Sequence, residues 1–158
     1  MNVYVRTMRS VSRTKGMRWF MRTVQPTLDM KLKGTRFAPS TFGGIDTPLC
    51  YLTTTGRKSG GPRTVPLVYV RADDATVAVV ASNYGQDHHP AWSYNLDADP
   101  EASLEINGED PRSVVACRAS EAETTALWPR FDAVWPGYET YREISPRDIK
   151  MYLLAQDA

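Results

Sequence analysis

The chain has 158 residues, enough for one domain with a proper hydrophobic core, and a net charge of only +1. That near-neutrality hides an asymmetry: residues 1–36 hold nine Lys and Arg against the single Asp29, a local +8, while the remainder nets −7. An acidic body argues against a nucleic-acid partner, no apolar run approaches the roughly 18–20 residues that span a bilayer, and the basic start lacks an h-region and a cleavage site.

The expectation is therefore a cytoplasmic protein, with residues 1–36 as a basic arm and 37–158 as the globular domain. In the arm, Tyr4, Met8 and Val11 sit at i, i+4, i+7, and Met17, Phe20, Met21 and Val24 at i, i+3, i+4, i+7, with arginines between them. Gly16 and Pro26 break this pattern into two helical pieces. A basic face opposite Met, Phe and Trp19 suits an anionic membrane surface, which would make the protein peripheral at the inner face of the cell membrane. It equally suits packing onto the domain, and an unordered tail is the third reading.

Lys33 to Asp46 is rich in Gly, Pro and Thr and reads as a connecting loop. The strand-like runs follow: Pro48–Thr55, Arg63–Arg71, Thr76–Ser82, Ala102–Ile106, Ser113–Ala119 and Ile149–Ala155. Asp73-Asp74 and Asn107-Gly108 supply hairpin turns. Pro90 opens a short helix to Ala98. Ser120 with Glu123 forms a capping box for a helix reaching about Val134 despite Pro129. Six strands joined mostly as hairpins predict a mainly β, α+β architecture: an antiparallel barrel with helices at its openings. Cys50 and Cys117 lie in separate strand-like runs and read as buried small apolar side chains in a reducing compartment. His88-His89 has no partner pair at metal spacing and reads as the lead-in to the Pro90 helix, so no metal is expected.

The chemistry concentrates between the first two runs. Gly56, Gly60 and Gly61 permit backbone angles that other residues resist, and Pro62 fixes the exit. Arg57, Lys58 and Arg63 project around exposed backbone N–H groups and the Ser59 hydroxyl. Such a turn can hold an anion with several negative groups, such as a phosphate joined to carboxylates. A solvated hairpin turn is the plainer reading of the same residues. The glycine spacing is not that of a P-loop, which argues against a nucleotide triphosphate.

Taken together, Leu52–Thr55 with Gly56-Arg57-Lys58-Ser59-Gly60, Pro62-Arg63, Pro66, Val80-Ala81-Ser82, His89-Pro90-Ala91-Trp92, Asn95-Leu96, Asp99-Pro100, and Pro136 with Tyr138 and Tyr141 resemble the deazaflavin-dependent nitroreductases, the F420-dependent quinone reductases of actinobacteria. The resemblance covers roughly Pro48 to the C-terminus. It implies a split β-barrel related to the FMN-binding barrels, and coenzyme F420, an 8-hydroxy-5-deazaflavin with a phosphodiester and an oligoglutamate tail. It implies hydride transfer from the reduced cofactor to a quinone-like or nitroaromatic acceptor. In the family, positions matching Arg57, Lys58, Ser59, Arg63, Thr64, Val65 and Pro66 line the phosphate and tail. Those matching Val80, Ala81, Ser82 and Asn83, and Ala91, Trp92, Ser93, Tyr94 and Asn95, line the deazaflavin and its ribityl chain.

Ser82 would then hydrogen-bond the acceptor, and Tyr138 or Tyr141, at i, i+3 on one helical face, would donate a proton or a hydrogen bond. Tyr138 matches a residue that touches the ring. Trp135 stands where the best-known reductases carry a third Tyr, and Asn83 where a Lys is common. Trp92 also reads as plain core. Two other functions suit the same barrel: a non-catalytic carrier of F420, a lipid or a tetrapyrrole, and an FMN-dependent oxidase.

Overall fold

The computed structural model describes residues 47–156 except Asn107, together with the isolated positions Thr14, Gly16, Trp19, Thr23 and Lys31. The expected membrane face of the arm, its break at Pro26, the loop to Asp46 and Asn107 of the second hairpin turn thus lie largely outside the described residues, whereas Gly16, the other expected break, is itself helical. Among those that are described, Trp19 is 57% exposed.

Six strands form the body: β1 (Leu49–Thr55), β2 (Pro62–Arg71), β3 (Val77–Val80), β4 (Glu101–Ile106), β5 (Arg112–Arg118) and β6 (Met151–Gln156). They close into a barrel in the order β1-β2-β3-β6-β5-β4, with β4 pairing back onto β1 and every pair antiparallel. Closure leaves no free strand edge. Period-two alternation decides which side chains enter the barrel. Cys50 and Leu52, Val77, Val79 and Ala81, Leu104 and Ile106, Val114 and Ala116, and Tyr152 and Leu154 fill its interior. The intervening Val70, Ala78, Val80 and Met151 face outward and need a cover.

Three helices cover what the strands leave. α1 (Ala91–Ala98) inserts Trp92 and Leu96, one turn apart, into the barrel interior, where Trp92 meets Tyr152 edge-on at 5.6 Å. α2 (Glu121–Val134) and α3 (Gly137–Ile144) lay Leu127, Phe131, Trp135, Tyr138 and Tyr141 over the outward faces of β2, β3 and β6. The expectation of helices at the barrel openings thus holds for α1, whereas α2 and α3 lie on the outer wall. Alternation is the cause, because Val70, Ala78 and Val80 form an apolar outer stripe, which the apolar faces of α2 and α3 bury. No helix among the described residues is long and apolar enough to cross a membrane.

Local signals end these elements as their chemistry requires. Ser120 accepts from the Glu123 N–H while the Glu123 carboxylate accepts from the Ser120 N–H, closing the capping box of α2. Asp73 Oδ1 accepts from the N–H groups of Ala75 and Thr76 at 2.8 and 2.7 Å, making the first hairpin turn an Asx-type bend. Arg142 joins α3 to α2 through a two-pronged pair with Asp132 and lies 4.1 Å above the Trp128 ring. One cysteine departs from expectation. Cys50 is fully buried, and burial pushes its thiol up to about 12, but Cys117 is exposed, because Val114 and Ala116 take the inward positions of β5.

Candidate functional site

The basic turn sits between β1 and β2 and is built around Gly56. Its N–H donates to Gly61 O at 2.8 Å, and its carbonyl accepts from the N–H groups of Ser59 and Gly60 at 3.1 and 2.7 Å. A Cβ at Gly56 would stand 2.6 Å from Ser59 Oγ and 3.1 Å from Gly61 O, so any larger residue would displace the Ser59 hydroxyl and press on the turn's backbone. Gly60 has φ +69°, a second position where a side chain is strained. The sequence reading assigned the turn's backbone N–H groups to an anion. Those of Gly56, Arg57, Ser59, Gly60 and Gly61 are instead taken by partners within the protein.

The burden of holding an anion therefore falls on side chains. Arg57, Lys58, Ser59 and Arg63 are all exposed. Arg63 donates to Ser59 Oγ at 3.3 Å, and the Arg57 guanidinium lies 5.2 Å over the Tyr94 ring. Among the described residues none of the three cations has a carboxylate partner. Unneutralised cations gathered on one glycine turn are the donor set that a phosphodiester with a carboxylate tail requires, so the residues present fit coenzyme F420. Further along β2, the Thr64 hydroxyl pairs with that of Thr53 at 2.8 Å, Val65 packs against the barrel core, and Pro66 is half-buried.

Helix α1 buttresses this turn. Asn95 Oδ1 accepts from the Arg57 N–H at 3.1 Å, and Asn95 Nδ2 donates to the hydroxyl of buried Thr54 at 3.0 Å. The Asn95 amide is thus committed within the protein and sets where Arg57 stands. Tyr94 is flanked by Arg57, His89 and Lys150, and Ala91 is exposed at the helix start. Trp92 and Ser93 are buried, with Ser93 Oγ donating to Pro90 O. The Tyr152 hydroxyl donates to Asp97 Oδ1 at 2.7 Å, and Lys150 pairs with the same carboxylate, so α1 is tied to β6 as well as to the turn. Asp97 keeps its carboxyl below the ordinary range: burial opposes this, and the Lys150 and Tyr152 hydrogen bonds outweigh it.

A second group forms where the chain leaves β3. Val80 faces the outer helical layer and Ala81 the barrel interior, which places Ser82 at the exit. Ser82 is half-buried, and its hydroxyl has no hydrogen-bond partner among the described residues. Asn83 donates to His88 O at 3.0 Å, closing its own loop. Asn83, Tyr84 and Gly85 have φ of 44, 56 and 75°. A non-glycine residue held in that region costs about 1–3 kcal/mol, so neighbouring structure must impose it. α3 does part of this: the Tyr84 ring meets Tyr141 edge-on at 5.9 Å, and Gly85 lies so close to Ile144 that a Cβ would stand 2.7 Å from it.

The three aromatic candidates of this group differ in what they can offer. Trp135 donates its indole N–H to the Tyr141 hydroxyl at 3.4 Å, so both are engaged with each other. Tyr138 is 6% exposed, packed among Phe131, Tyr141 and Trp128 at ring distances of 5.5, 6.0 and 6.3 Å. Its hydroxyl has no hydrogen-bond partner among the described residues. Burial, then the nearby Tyr141 and Tyr84, push its phenol up, so it stays protonated and able to donate. A buried hydroxyl left unpaired is uncommon and calls for a ligand or a water.

The structure therefore brings together the basic turn with Tyr94 and Asn95, and separately the loop at Tyr84 and Gly85, which follows Ser82 and Asn83, with Tyr141 and through it Trp135 and Tyr138. The segment from Ala81 to Pro90 links the two groups. His88 and His89 point to different partners, Asp87 and Arg147, and the described residues hold no cluster of three or more possible metal ligands. Sequence reasoning missed Arg147, an arginine in a short loop whose signal is only that it follows the Tyr138–Tyr141 helix.

Comparison with known proteins converges on one family. The profile of the F420H(2)-dependent quinone reductases matches residues 22–156, beginning inside the basic arm. A Mycobacterium tuberculosis protein provisionally named as such a reductase is 36% identical over 107 residues, covering 68% of this chain and 88% of its own length. A second M. tuberculosis protein, named F420H(2)-dependent quinone reductase, is 41% identical over 59 residues, 37% of this chain and 39% of the other. The solved structure of the F420-H2 dependent reductase FDR-A superimposes with a TM-score of 0.61 at 30% identity, over 68% of this chain and 93% of that one. Barrel, basic turn and these likenesses agree: the chain belongs to the F420H(2)-dependent quinone reductase family and is an oxidoreductase.

Proposed function

We propose that this protein transfers a hydride from reduced coenzyme F420 to a quinone, and that nitroaromatics serve as alternative acceptors. Bound reduced F420 supplies the hydride, since carbon replaces the flavin N5 and two-electron transfer is favoured. Arg57, Lys58 and Arg63 bind the phosphodiester and glutamate tail. Asn95 holds Arg57 in place from behind. Ser82 orients the acceptor, and the Tyr138 hydroxyl donates a hydrogen bond to the acceptor oxygen as negative charge develops there. The outer-wall helices keep that donor away from water.

The observation that carries this reading is the trio of cations on the Gly56 turn without carboxylate partners. A titration of the purified protein with F420, FMN and haem tests it. F420 should bind far more tightly than the others, and more tightly with longer glutamate tails. A preference for FMN or haem would favour the oxidase or the carrier instead.

The charge asymmetry of the chain supports a second element of the proposal: residues 1–36 bind anionic bilayers, where a lipid-soluble quinone is dissolved. Each surface cation contributes about 1 kcal/mol, so several outweigh repulsion from the acidic domain. The full chain should float with anionic vesicles and be released as salt rises, and removal of residues 1–30 should abolish floating without impairing reduction of a water-soluble quinone. Equally poor floating of both proteins at low salt would contradict it.

A further inference from the structure

The segment from Ala81 to His89 leaves β3, carries Ser82 past α3 and returns to the start of α1. Its three consecutive left-handed residues cannot hold this path unaided. One side chain braces it from end to end. Arg147 Nη2 donates to the carbonyl oxygens of Ala81 and Ser82 at 3.2 and 3.1 Å, and Nε donates to Gln86 O at 3.0 Å. Nη1 meets His89 Nδ1 at 2.7 Å and Asp148 O at 3.4 Å. A guanidinium has five N–H donors, and these partners occupy all five. None is left for a ligand.

Arg147 is itself anchored to the end of α3. The Ser145 hydroxyl accepts from the Arg147 N–H at 3.3 Å and donates to Arg147 O at 2.8 Å, and the Ser145 N–H donates to Tyr141 O at 3.0 Å. A continuous chain of bonds therefore runs from the helix of Tyr138 and Tyr141 to the carbonyl of Ser82. The far end depends on His89 presenting a lone pair at Nδ1. Burial, then the charges of Arg147, Lys150 and Arg118, hold its imidazole down to about 4, with Asp97 acting the other way, so it is neutral at physiological pH.

We propose that Arg147 is a positioning residue for hydride transfer: it fixes Ser82 relative to Tyr138 by clamping the Ala81–His89 backbone, and touches neither cofactor nor acceptor. The proposal rests on the roles given above to Ser82 and Tyr138. A planar fork is essential to it, because a lysine ammonium can reach only part of this set of acceptors.

The test compares Arg147→Lys and Arg147→Met with the parent protein, first without cofactor. Amide exchange at Gly85 and Gln86, which donate to Ser82 O and Asn83 O, should quicken in both variants, and in Arg147→Met, which also removes the neighbouring charge, the His89 titration followed by NMR should move up toward its ordinary value. With F420 bound, affinity should stay within about threefold because the basic turn is untouched, while turnover of a water-soluble quinone falls about ten- to a hundredfold, as for a misplaced reacting group. Guanidinium ion added to Arg147→Ala should recover part of the rate. Parent-like exchange and turnover in a folded Arg147→Met protein would overturn the proposal. So would full activity in Arg147→Lys, or a loss of rate explained wholly by lost F420 affinity. Ser82→Ala separates the two levels: if it is as active as the parent while the Arg147 variants show fast exchange and slow turnover, the role of Ser82 fails and the clamp stands.

Discussion

Replacing Tyr138 by Phe removes one oxygen and leaves every ring contact in place. The ring stays packed against Phe131, Tyr141 and Trp128, so the change isolates the hydroxyl. That hydroxyl is buried without a hydrogen-bond partner among the described residues, and leaving such a group unpaired costs about 1–3 kcal/mol. Folding stability should therefore hold or rise by about 1 kcal/mol, a rise in Tm of about 2–4 °C for a domain this size. Turnover should move the opposite way. A donor aimed at developing negative charge is worth about a hundredfold in rate, whereas F420 affinity should be unchanged because the tail turn is untouched. Burial keeps the phenol protonated, so the parent rate should show no tyrosine ionisation from about pH 6 to 9. Thermal unfolding and steady-state reduction of a menaquinone analogue measure both quantities. Parent-like turnover would refute the donor role, and a marked loss of stability would show that the hydroxyl is structural.

Three further outcomes follow from the same geometry. Lys58→Ala and Arg63→Ala should each weaken F420 binding by about ten- to a hundredfold, the range for charged hydrogen bonds, and more so with longer tails; equal affinity across tail lengths would remove the assignment. Asn95→Ala strands the buried Thr54 hydroxyl and frees the Arg57 N–H, so it should destabilise the fold by about 1–3 kcal/mol in urea unfolding and also weaken F420 binding. His89 takes up a proton near 4 when folded against 6.5 ordinarily. Between these values the unfolded chain holds a proton that the folded chain refuses, so stability should fall as pH drops through that window. Asp97, Asp73, Asp87 and Glu123 have depressed values, so their contributions begin to be lost as pH falls toward their ordinary values, 4.5 for Glu123 and 3.8 for the aspartates, and overlap the lower end of that window. His89→Asn should flatten the slope of urea midpoints between about pH 6.5 and 4.5.

The barrel was legible because alternation and turn chemistry are local. All six strands, the Ser120 capping box and the Pro90 helix start follow from spacing and residue type, and each expected strand matches an observed one to within two residues at either end. The layering was less legible. Val70, Ala78 and Val80 read as ordinary strand residues, and only the closed barrel shows that they face α2 and α3. Cys117 was misplaced because a small apolar residue in a strand carries no signal of which face it takes. At the site, the cations of the Gly56 turn were visible in the sequence, but the fate of the turn's N–H groups was not, since a partner such as Asn95 is 38 positions away. The left-handed run at Asn83–Gly85 and its brace at Arg147 have the same cause: contacts 58 to 66 positions apart leave no local pattern.

The central claim is enzyme-dependent hydride transfer to a quinone, and a single-turnover experiment addresses it directly. The full chain, loaded with one equivalent of reduced F420 under anaerobic conditions, is mixed with a menaquinone analogue while the visible absorbance of the oxidised cofactor is followed. Oxidised F420 and quinol should appear together in equal amounts, about a hundredfold slower in Tyr138→Phe. Tight binding of reduced F420 with no quinone-dependent oxidation would contradict the account and leave the protein a carrier.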